Sequence, residues 1–175
     1  IDAMERYFFE QLKLYPQFSG IYYGAPDGGF VYVMRDQQYS SGGFRTKIID
    51  FPDSRRRVRL QWRNAEFKPV AQSLTPDDQY DPRARPWYTK AITKGGLVWT
   101  EPYIFFTSNK PGITTSSPVH RENARQTVDG VIGVDIEISQ ISTFLASLRI
   151  GRNGSAFIID TRGQAAIEQS TVDHP

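Results

Sequence analysis

The sequence contains no cysteine and only two histidines. The lack of cysteine excludes disulfide bonds, thiol catalysis and cysteine-ligated zinc sites. No apolar run approaches the roughly 18 residues that a membrane-spanning helix requires, and no secretory signal pattern is visible, so targeting information is expected outside this sequence. A strong excess of one charge is also missing, since the formal net charge is +2, and this argues against a general binder of polyanions such as nucleic acids.

Signatures of catalysis are equally scarce. The sequence has no HExxH, P-loop or nucleophile-elbow motif, and its histidines, His120 and His174, both lie in polar, loop-like surroundings. Asp77, Asp78 and Asp81 form a cluster, but their proline neighbours are typical of turns. A hydrolase with paired carboxylates stays open as an alternative, whereas the pattern as a whole favours a binding module with no catalytic residues, metal or cofactor.

What is present is sufficient for one folded domain, because 175 residues of which 39% are hydrophobic can bury a substantial core. The helical spacing of Met4, Phe8 and Leu12 predicts a long N-terminal helix that ends at Pro16. No capping residue precedes Ile1, so we expect this helix to begin further upstream.

Strands are predicted along the rest of the chain by alternation and by turn signals. The turn at 26–29 separates two β-rich runs and predicts a hairpin. The further predicted elements are a half-buried strand over 57–63, a short helix over 86–94, strands over 101–108 and 113–120 joined by a turn at 110–112, a polar connector over 121–130, a strand over 131–138 and a helix capped by Ser139. This order predicts an α+β fold, an antiparallel sheet with helices packed on it.

The strand over 57–63 carries a row of arginines on one face, namely Arg57, Arg59 and Arg63. Such a row suggests an RNA-binding sheet, but RNA-binding sheets usually present aromatic side chains to the bases, and this face has none. We therefore interpret the row as a solvated strand face.

A second hairpin pattern starts near Gly151, in GRNGSAFIIDTRGQAAIEQ, and is similar to the first one. It indicates that a second unit of the same kind begins here. We accordingly divide the chain into a ligand-binding module over 1–150 and the beginning of another module over 151–175.

Two strands carry groups suited to a charged ligand. In VIGVDIEI, Asp135 shares a face with Gly133, and we expect the glycine to leave room for a ligand. In EPYIFFTS, Tyr103 is an aromatic residue on the strand face that also carries Glu101 and Phe105. A carboxylate on a sheet face is costly unless it meets a cation, here either an arginine of the protein or a ligand. The segment YDPRARPWY adds arginines and aromatic residues in a loop stiffened by Pro82 and Pro86.

The segments YDPRARPWY, PYIFFTSNKPGIT and GVIGVDIEISQISTFL, in this order, resemble the double Cache sensor domains of bacterial transmembrane receptors. The resemblance covers most of the chain. It implies a PAS-like, membrane-distal first module that holds the ligand, and a long N-terminal helix packed along both modules. A subset of that family binds amino acids through a motif that this sequence matches in residue type and spacing at Tyr80, Arg85, Trp87, Tyr88, Tyr103 and Asp135.

The family pattern implies a role for each of these residues. Arg85 and Trp87 would hold the carboxylate of the ligand, and Tyr103 and Asp135 would hold its ammonium, with help from the other two tyrosines. Independent chemistry supports the assignment, because a guanidinium binds a carboxylate bidentately and an ammonium is attracted both to a carboxylate and to aromatic faces. Positions around Thr107 and over 114–116 are candidates for contacting the ligand side chain.

The resemblance also implies a cellular setting. The chain would be the periplasmic domain of an inner-membrane receptor, attached to the membrane by flanking segments, with a homodimer formed through the N-terminal helix and no nucleic-acid partner. PYIFFTSNKPGIT is most similar to Cache domains attached to nucleotide cyclases, and a histidine kinase is another output of this kind. Two alternatives stay open: another small-molecule ligand (an amine, a carboxylate or a purine), and a degenerate structural or dimerisation module in which Arg85 and Asp135 simply pair.

Overall fold

The computed structural model describes residues 1–121, 124–148, 157–159 and 165–168. The helices are α1 (Asp2–Leu14), α2 (Pro86–Lys94) and α3 (Ile138–Ser147). The strands are β1 (Gly20–Gly24), β2 (Phe30–Arg35), β3 (Phe44–Asp50), β4 (Arg57–Arg63), β5 (Pro69–Leu74), β6 (Val98–Trp99), β7 (Tyr103–Ile104), β8 (Pro111–Arg121), β9 (Ala124–Glu137), β10 (Phe157–Ile159) and β11 (Ala165–Glu168). Within these residues, no helix is both long enough and apolar enough to span a membrane.

Nine strands form one antiparallel sheet in the order β5-β4-β3-β2-β1-β9-β8-β6, with β7 also paired to β8. The pairing of β1 with β2 confirms the predicted hairpin. Helix α1 lies on one face of the sheet, and helix α2 contacts β8 and β9. The predicted α+β fold, an antiparallel sheet with a long N-terminal helix, is therefore confirmed.

Helix α1 is held to the sheet by the side chains that its helical spacing places on one side. Phe8, Phe9 and Leu12 are buried in a cluster with Ile21 of β1 and Val33 of β2. The opposite face of the same strands carries a second, aromatic-rich cluster packed against α2. Because successive strand residues point to opposite faces, β1 and β2 contribute side chains to both clusters.

A buried ion pair also joins α1 to the sheet. Glu5 is 1% exposed, and both of its carboxylate oxygens accept hydrogen bonds from Arg63 of β4, Oε1 from Nε at 2.7 Å and Oε2 from Nη2 at 3.0 Å. Thr46 of β3 donates to Oε1 at 2.6 Å. The carboxylate is thus fully surrounded by partners, as a buried charge requires.

The interpretation of the arginine row as solvated is wrong at one end of the strand. Arg57 and Arg59 contact Asp50 at 2.8 and 3.0 Å and remain partly exposed. Arg63 instead lies under α1, because the helix covers this end of the sheet and supplies Glu5 as its partner. The alternation pattern alone could not reveal which part of the strand the helix covers.

Four local predictions differ from the structure between β7 and α3. Only 103–104 of the segment 101–108 is a strand, and the turn lies at 106–108 rather than at 110–112. The amide of Asn109 donates to the carbonyl of Phe105 with Asn109 at φ 56°, a left-handed conformation that asparagine tolerates. In the supposed connector, residues from Ala124 onward belong to β9. Glu137, not Ser139, is the N-cap residue of α3.

Strands β10 and β11 pair with each other and form a two-stranded sheet of their own. The expected module boundary near residue 150 and the turn between these strands lie outside the described residues. The division into two modules therefore stays a prediction.

Candidate ligand-binding site

On the sheet face opposite α1, three adjacent strands bring polar side chains together. The register places Thr114 of β8 opposite Asp135 of β9, and Tyr22 of β1 opposite Gly133. A Cβ atom on Gly133 would lie 2.2 Å from Cε2 of Tyr22. The expectation that this glycine leaves room for a ligand is therefore wrong, because the tyrosine ring from the neighbouring strand fills the space.

Asp135 is at the centre of this group and is 5% exposed. Its Oδ1 accepts hydrogen bonds from Tyr22 Oη and from Thr114 Oγ1, each at 2.6 Å. The hydroxyl of Tyr103 lies 2.8 Å from Thr114 Oγ1, and it is the donor there because the single proton of the threonine is already directed at the carboxylate. Oδ2 accepts no hydrogen bond from the described residues, so it is available to a donor from a ligand.

The surroundings of Asp135 change its acidity. Burial raises the pKa of Asp135 from its ordinary 3.8 to about 7, and the charge of Glu137 also raises it, whereas hydrogen bonds from Thr114 and Tyr22 and the charge of Arg85 lower it. The carboxyl group thus titrates near neutral pH. A ligand ammonium favours the ionised form and would lower this pKa.

This pKa predicts how stability changes with pH. A folded-state pKa above 3.8 means that the stability from Asp135 is complete in acid and declines as the pH rises towards 7. Asparagine does not titrate, and its Oδ1 can accept both hydrogen bonds. We expect the free energy of unfolding of the Asp135→Asn variant, relative to wild type, to increase by about 2–3 kcal/mol between pH 5 and pH 8. Urea denaturation without ligand measures this, and a difference independent of pH would contradict the shifted pKa.

Arg85 faces this carboxylate group from the loop before α2, where it is the N-cap residue. Its guanidinium carbon lies 5.9 Å from the ring centres of Tyr80 and Tyr103 and 5.7 Å from that of Phe106. Within the described part of the chain, Arg85 has no carboxylate within salt-bridge distance, so it does not pair with Asp135. The site thus holds a cation among aromatic rings and, separately, a carboxylate.

The two aromatic residues that open α2 have different positions. Trp87 is 1% exposed, its ring centre lies 4.6 Å from that of Tyr22, and its carbonyl accepts a hydrogen bond from Ser116 Oγ at 2.8 Å. Tyr88 packs edge-on against Trp87 at 5.5 Å and lies near Gly24. Tyr88 therefore supports Trp87 from behind and does not line the cavity.

These side chains surround a cavity of about 20 Å³. It is lined by Tyr22, Phe30, Tyr32, Tyr80, Arg85, Trp87, Tyr103, Phe105, Phe106, Thr107 and Asp135. The structure thus brings Tyr80, Arg85, Trp87, Tyr103 and Asp135 together, as the family motif implied, and leaves Tyr88 outside. A volume of this size exceeds the roughly 10–15 Å³ that one water needs but is too small for an amino acid, so binding requires side chains to move. Phe106, which is 52% exposed, is the lining residue best placed to do so.

Several residues of the site have no direct signal in the sequence. Tyr22 and Tyr32 occur in a hairpin without any motif, and Phe106 lies in a segment predicted to be a strand. A signal for Tyr22 exists only once β1 is paired with β9, which places Tyr22 opposite Gly133. A large residue opposite a glycine indicates that its ring occupies the space of the missing side chain.

The fold and the cavity together define a small-molecule sensor domain: an antiparallel sheet with a long N-terminal helix on one face and an aromatic cavity with separate charges on the other. Residues 47–143 match the family described as methyl-accepting chemotaxis protein-like, first PDC sensor domain. The chain belongs to this family.

Individual relatives fit this assignment. The chain is 38% identical over 88 residues to the methyl-accepting chemotaxis protein PscA of Pseudomonas syringae pv. tomato, covering 50% of this chain and 14% of PscA. It is 28% identical over 169 residues to adenylate cyclase 1 of Rhizobium meliloti, covering 89% of this chain and 24% of the cyclase. The chain thus spans less than a quarter of either relative.

A solved structure shows the same fold at low sequence identity. The ligand-binding domain of the Campylobacter jejuni chemoreceptor Tlp3, in complex with 4-methylisoleucine, is 15% identical with a TM-score of 0.61. The alignment covers 97% of this chain and 51% of the Tlp3 chain.

Proposed function

We propose that the chain is the extracytoplasmic sensor domain of a bacterial signal-transduction receptor and that it binds a free α-amino acid. One observation carries the proposal: a single cavity is lined by the guanidinium of Arg85 and by the carboxylate of Asp135, and the two do not neutralise each other. A zwitterionic amino acid has a carboxylate and an ammonium a few ångströms apart, so it can satisfy both groups at once.

The proposed binding mode assigns each charged end of the ligand a set of partners. Arg85 and Trp87 hold the carboxylate. Oδ2 of Asp135 accepts from the ammonium, and Tyr103 adds lone pairs beside it, because its own proton is donated to Thr114. The rings near Arg85 exclude water and strengthen these contacts. Tyr80 is proposed as part of that aromatic wall, and Tyr88 acts indirectly through the position of Trp87.

The setting of the domain is part of the proposal. Residues 1–150 are proposed to be the membrane-distal module and residues 151–175 the start of a membrane-proximal one, in a periplasmic segment of an inner-membrane receptor. Chemotaxis receptors and an adenylate cyclase are among the relatives. This supports a cytoplasmic output domain and leaves its kind open. A homodimer through α1 fits the outward side chains of Ile1, Tyr7 and Leu14, which are 57%, 59% and 69% exposed.

Thermal melting against the standard amino acids tests the proposal. The protein is first unfolded and refolded to remove any co-purified ligand. An amino acid that binds only the folded state at a hundredfold excess over its dissociation constant should stabilise it by about 2.7 kcal/mol, a shift of several degrees. Simple amines, carboxylates and purines are tested in parallel. A panel of amino acids without any shift would contradict the proposal, and a shift by a purine alone would replace it.

A further inference from the structure

A second cavity, of about 360 Å³, lies beside the first and raises the question of where a ligand side chain goes. Thr107 lines both cavities. The smaller one, with its 20 Å³, is formed by the groups proposed to hold the charged ends of an amino acid. Even the charged ends require side chains to move, so any longer ligand side chain has to extend into an adjoining space.

The two cavities follow one another along the same face of the sheet. Asp135 lines the first and Glu137, two residues further along β9, lines the second; Tyr32 and Met34 have the same relation on β2. Two residues of a strand span about 7 Å, which is close to the reach of an extended side chain of four or five bonds. A ligand whose ammonium is at Asp135 can therefore place the end of such a side chain in the second cavity.

The charged groups of the second cavity already have charged or carbonyl neighbours within the protein. Lys110 contacts Glu137 at 2.8 Å. Arg45 Nε lies 3.3 Å from a carboxylate oxygen of Asp36, although it forms no hydrogen bond with the described residues, so the carbonyl oxygen of a ligand amide could also accept from it. Arg35, the remaining charged residue of the lining, donates to carbonyl oxygens at the end of α1. A charged ligand side chain would have to displace one of these contacts, at the cost of leaving a partly buried charge unpaired.

An uncharged polar group has a partner available in the same place. The hydroxyl oxygen of Ser108 is buried and forms no hydrogen bond with any residue that the structure describes. A buried hydroxyl without a partner is uncommon and costly. Because Ser108 lines the second cavity, rotation of its side chain would let the hydroxyl pair with an amide or hydroxyl group of a ligand. Met34 and Phe18 supply apolar surface for the methylene groups of the ligand side chain.

We propose that the second cavity is the side-chain subsite of the amino-acid site, and that it selects α-amino acids with long, uncharged, polar side chains of the glutamine type. This inference rests on the proposed function. It makes Ser108 a specificity-determining residue. Thr107, which lines both cavities, would contact a long ligand side chain between them.

The experiment compares glycine, alanine, glutamine, glutamate and lysine by calorimetric titration. Wild type should bind glutamine about tenfold or more tightly than glutamate or lysine. Ser108→Phe, which fills the second cavity, should weaken glutamine about tenfold or more and alanine less than about twofold. Ser108→Ala should weaken glutamine several-fold without affecting alanine. Ser73→Phe, on exposed strand β5, is the matched control and should change neither affinity.

The outcomes separate the two proposals. Equal weakening of alanine and glutamine by Ser108→Phe, or no weakening of glutamine by either Ser108 variant, would overturn the subsite while amino-acid binding stands. Tighter binding of glutamate or lysine than of glutamine would also overturn it. If the wild-type protein binds none of the five but another standard amino acid raises its melting temperature, the subsite fails and the proposed function stands. If no standard amino acid does so, the proposed function itself fails. Ser108→Ala keeps the test valid should Ser108→Phe not fold, as judged by thermal melting.

Discussion

The Asp135→Asn variant is expected to lose about thirtyfold to several thousandfold in affinity for amino acids and amines, and to bind carboxylates without an ammonium as wild type does. The variant keeps the shape of the site, because both hydrogen bonds to the side chain of Asp135 end on Oδ1, an atom that asparagine retains as an acceptor. What it removes is the negative charge that meets the ammonium. Removing one partner of a buried charged contact costs ~2–5 kcal/mol, which gives the stated range.

Arg85→Ala removes the positive charge proposed to hold the other end of the ligand, so it should reverse the ligand preference. It should weaken amino acids and carboxylates by a similar factor and spare plain amines, because Arg85 is proposed to contact only the carboxylate. Calorimetric titration at pH 8, where Asp135 is ionised, compares an amino acid with its decarboxylated amine and its deaminated acid. The pair of variants therefore tests both ends of the ligand separately.

Two neighbouring residues provide matched controls for these substitutions. Asp129→Asn changes a carboxylate on the same strand that contacts Arg121 near the surface at 2.9 Å, and Arg83→Ala changes an arginine paired with Asp81 at 2.8 Å. Neither should alter ligand preference. If Asp135→Asn and Arg85→Ala both lowered stability and left ligand preference unchanged, the zwitterion site would be refuted in favour of a purely structural role.

Among the substitutions considered, removal of the buried carboxylate of Glu5 on α1 should lower the free energy of unfolding most. We expect Glu5→Ala to lower the free energy of unfolding by about 3–5 kcal/mol, because it leaves the Arg63 guanidinium buried without its partner. Glu10→Ala on the same helix is the control: Glu10 contacts Arg6 at 2.9 Å with both side chains exposed, and its loss should cost no more than about 0.5 kcal/mol. Urea denaturation of both variants measures the difference.

Replacing both Glu5 and Arg63 tests whether the cost of Glu5→Ala comes from the unpaired charge or from lost packing. The double variant Glu5→Leu, Arg63→Met should recover most of the stability lost in Glu5→Ala, since no charge is left unpaired. Equal costs for Glu5→Ala and Glu10→Ala would contradict the buried position of Glu5.

Elements with a strong periodic pattern were predictable from the sequence. Helix α2 begins at Pro86 and ends at Lys94 as predicted, because proline favours the first turn and Gly95 takes the left-handed conformation that ends a helix. The predicted position of the turn before β8 is wrong, because proline and glycine at 111 and 112 are a stronger turn signal than Asn109, whose left-handed conformation follows the turn at 106–108.

The site was predictable only as far as its motif extends. Residue types and spacing led to Arg85, Tyr103 and Asp135, but contacts between strands distant in sequence decide what surrounds them. Tyr22 is more than a hundred residues from Asp135, and nothing local to it indicates that it donates to that carboxylate. The buried pair of Glu5 and Arg63 was missed for the same reason, since a charged residue on a helix is normally expected to face solvent.

The directions of the hydrogen bonds around Asp135 determine which chemical head groups the cavity can recognise. The hydroxyl protons of Tyr22, Thr114 and Tyr103 are all used within the protein. When Asp135 is ionised, this end of the cavity therefore offers a bound molecule only lone pairs. An ammonium brings three N–H bonds to them, an alcohol brings one O–H bond and a ketone brings none. Among molecules with the same carbon skeleton, the amino acid should therefore be preferred to the hydroxy acid, and the hydroxy acid to the keto acid.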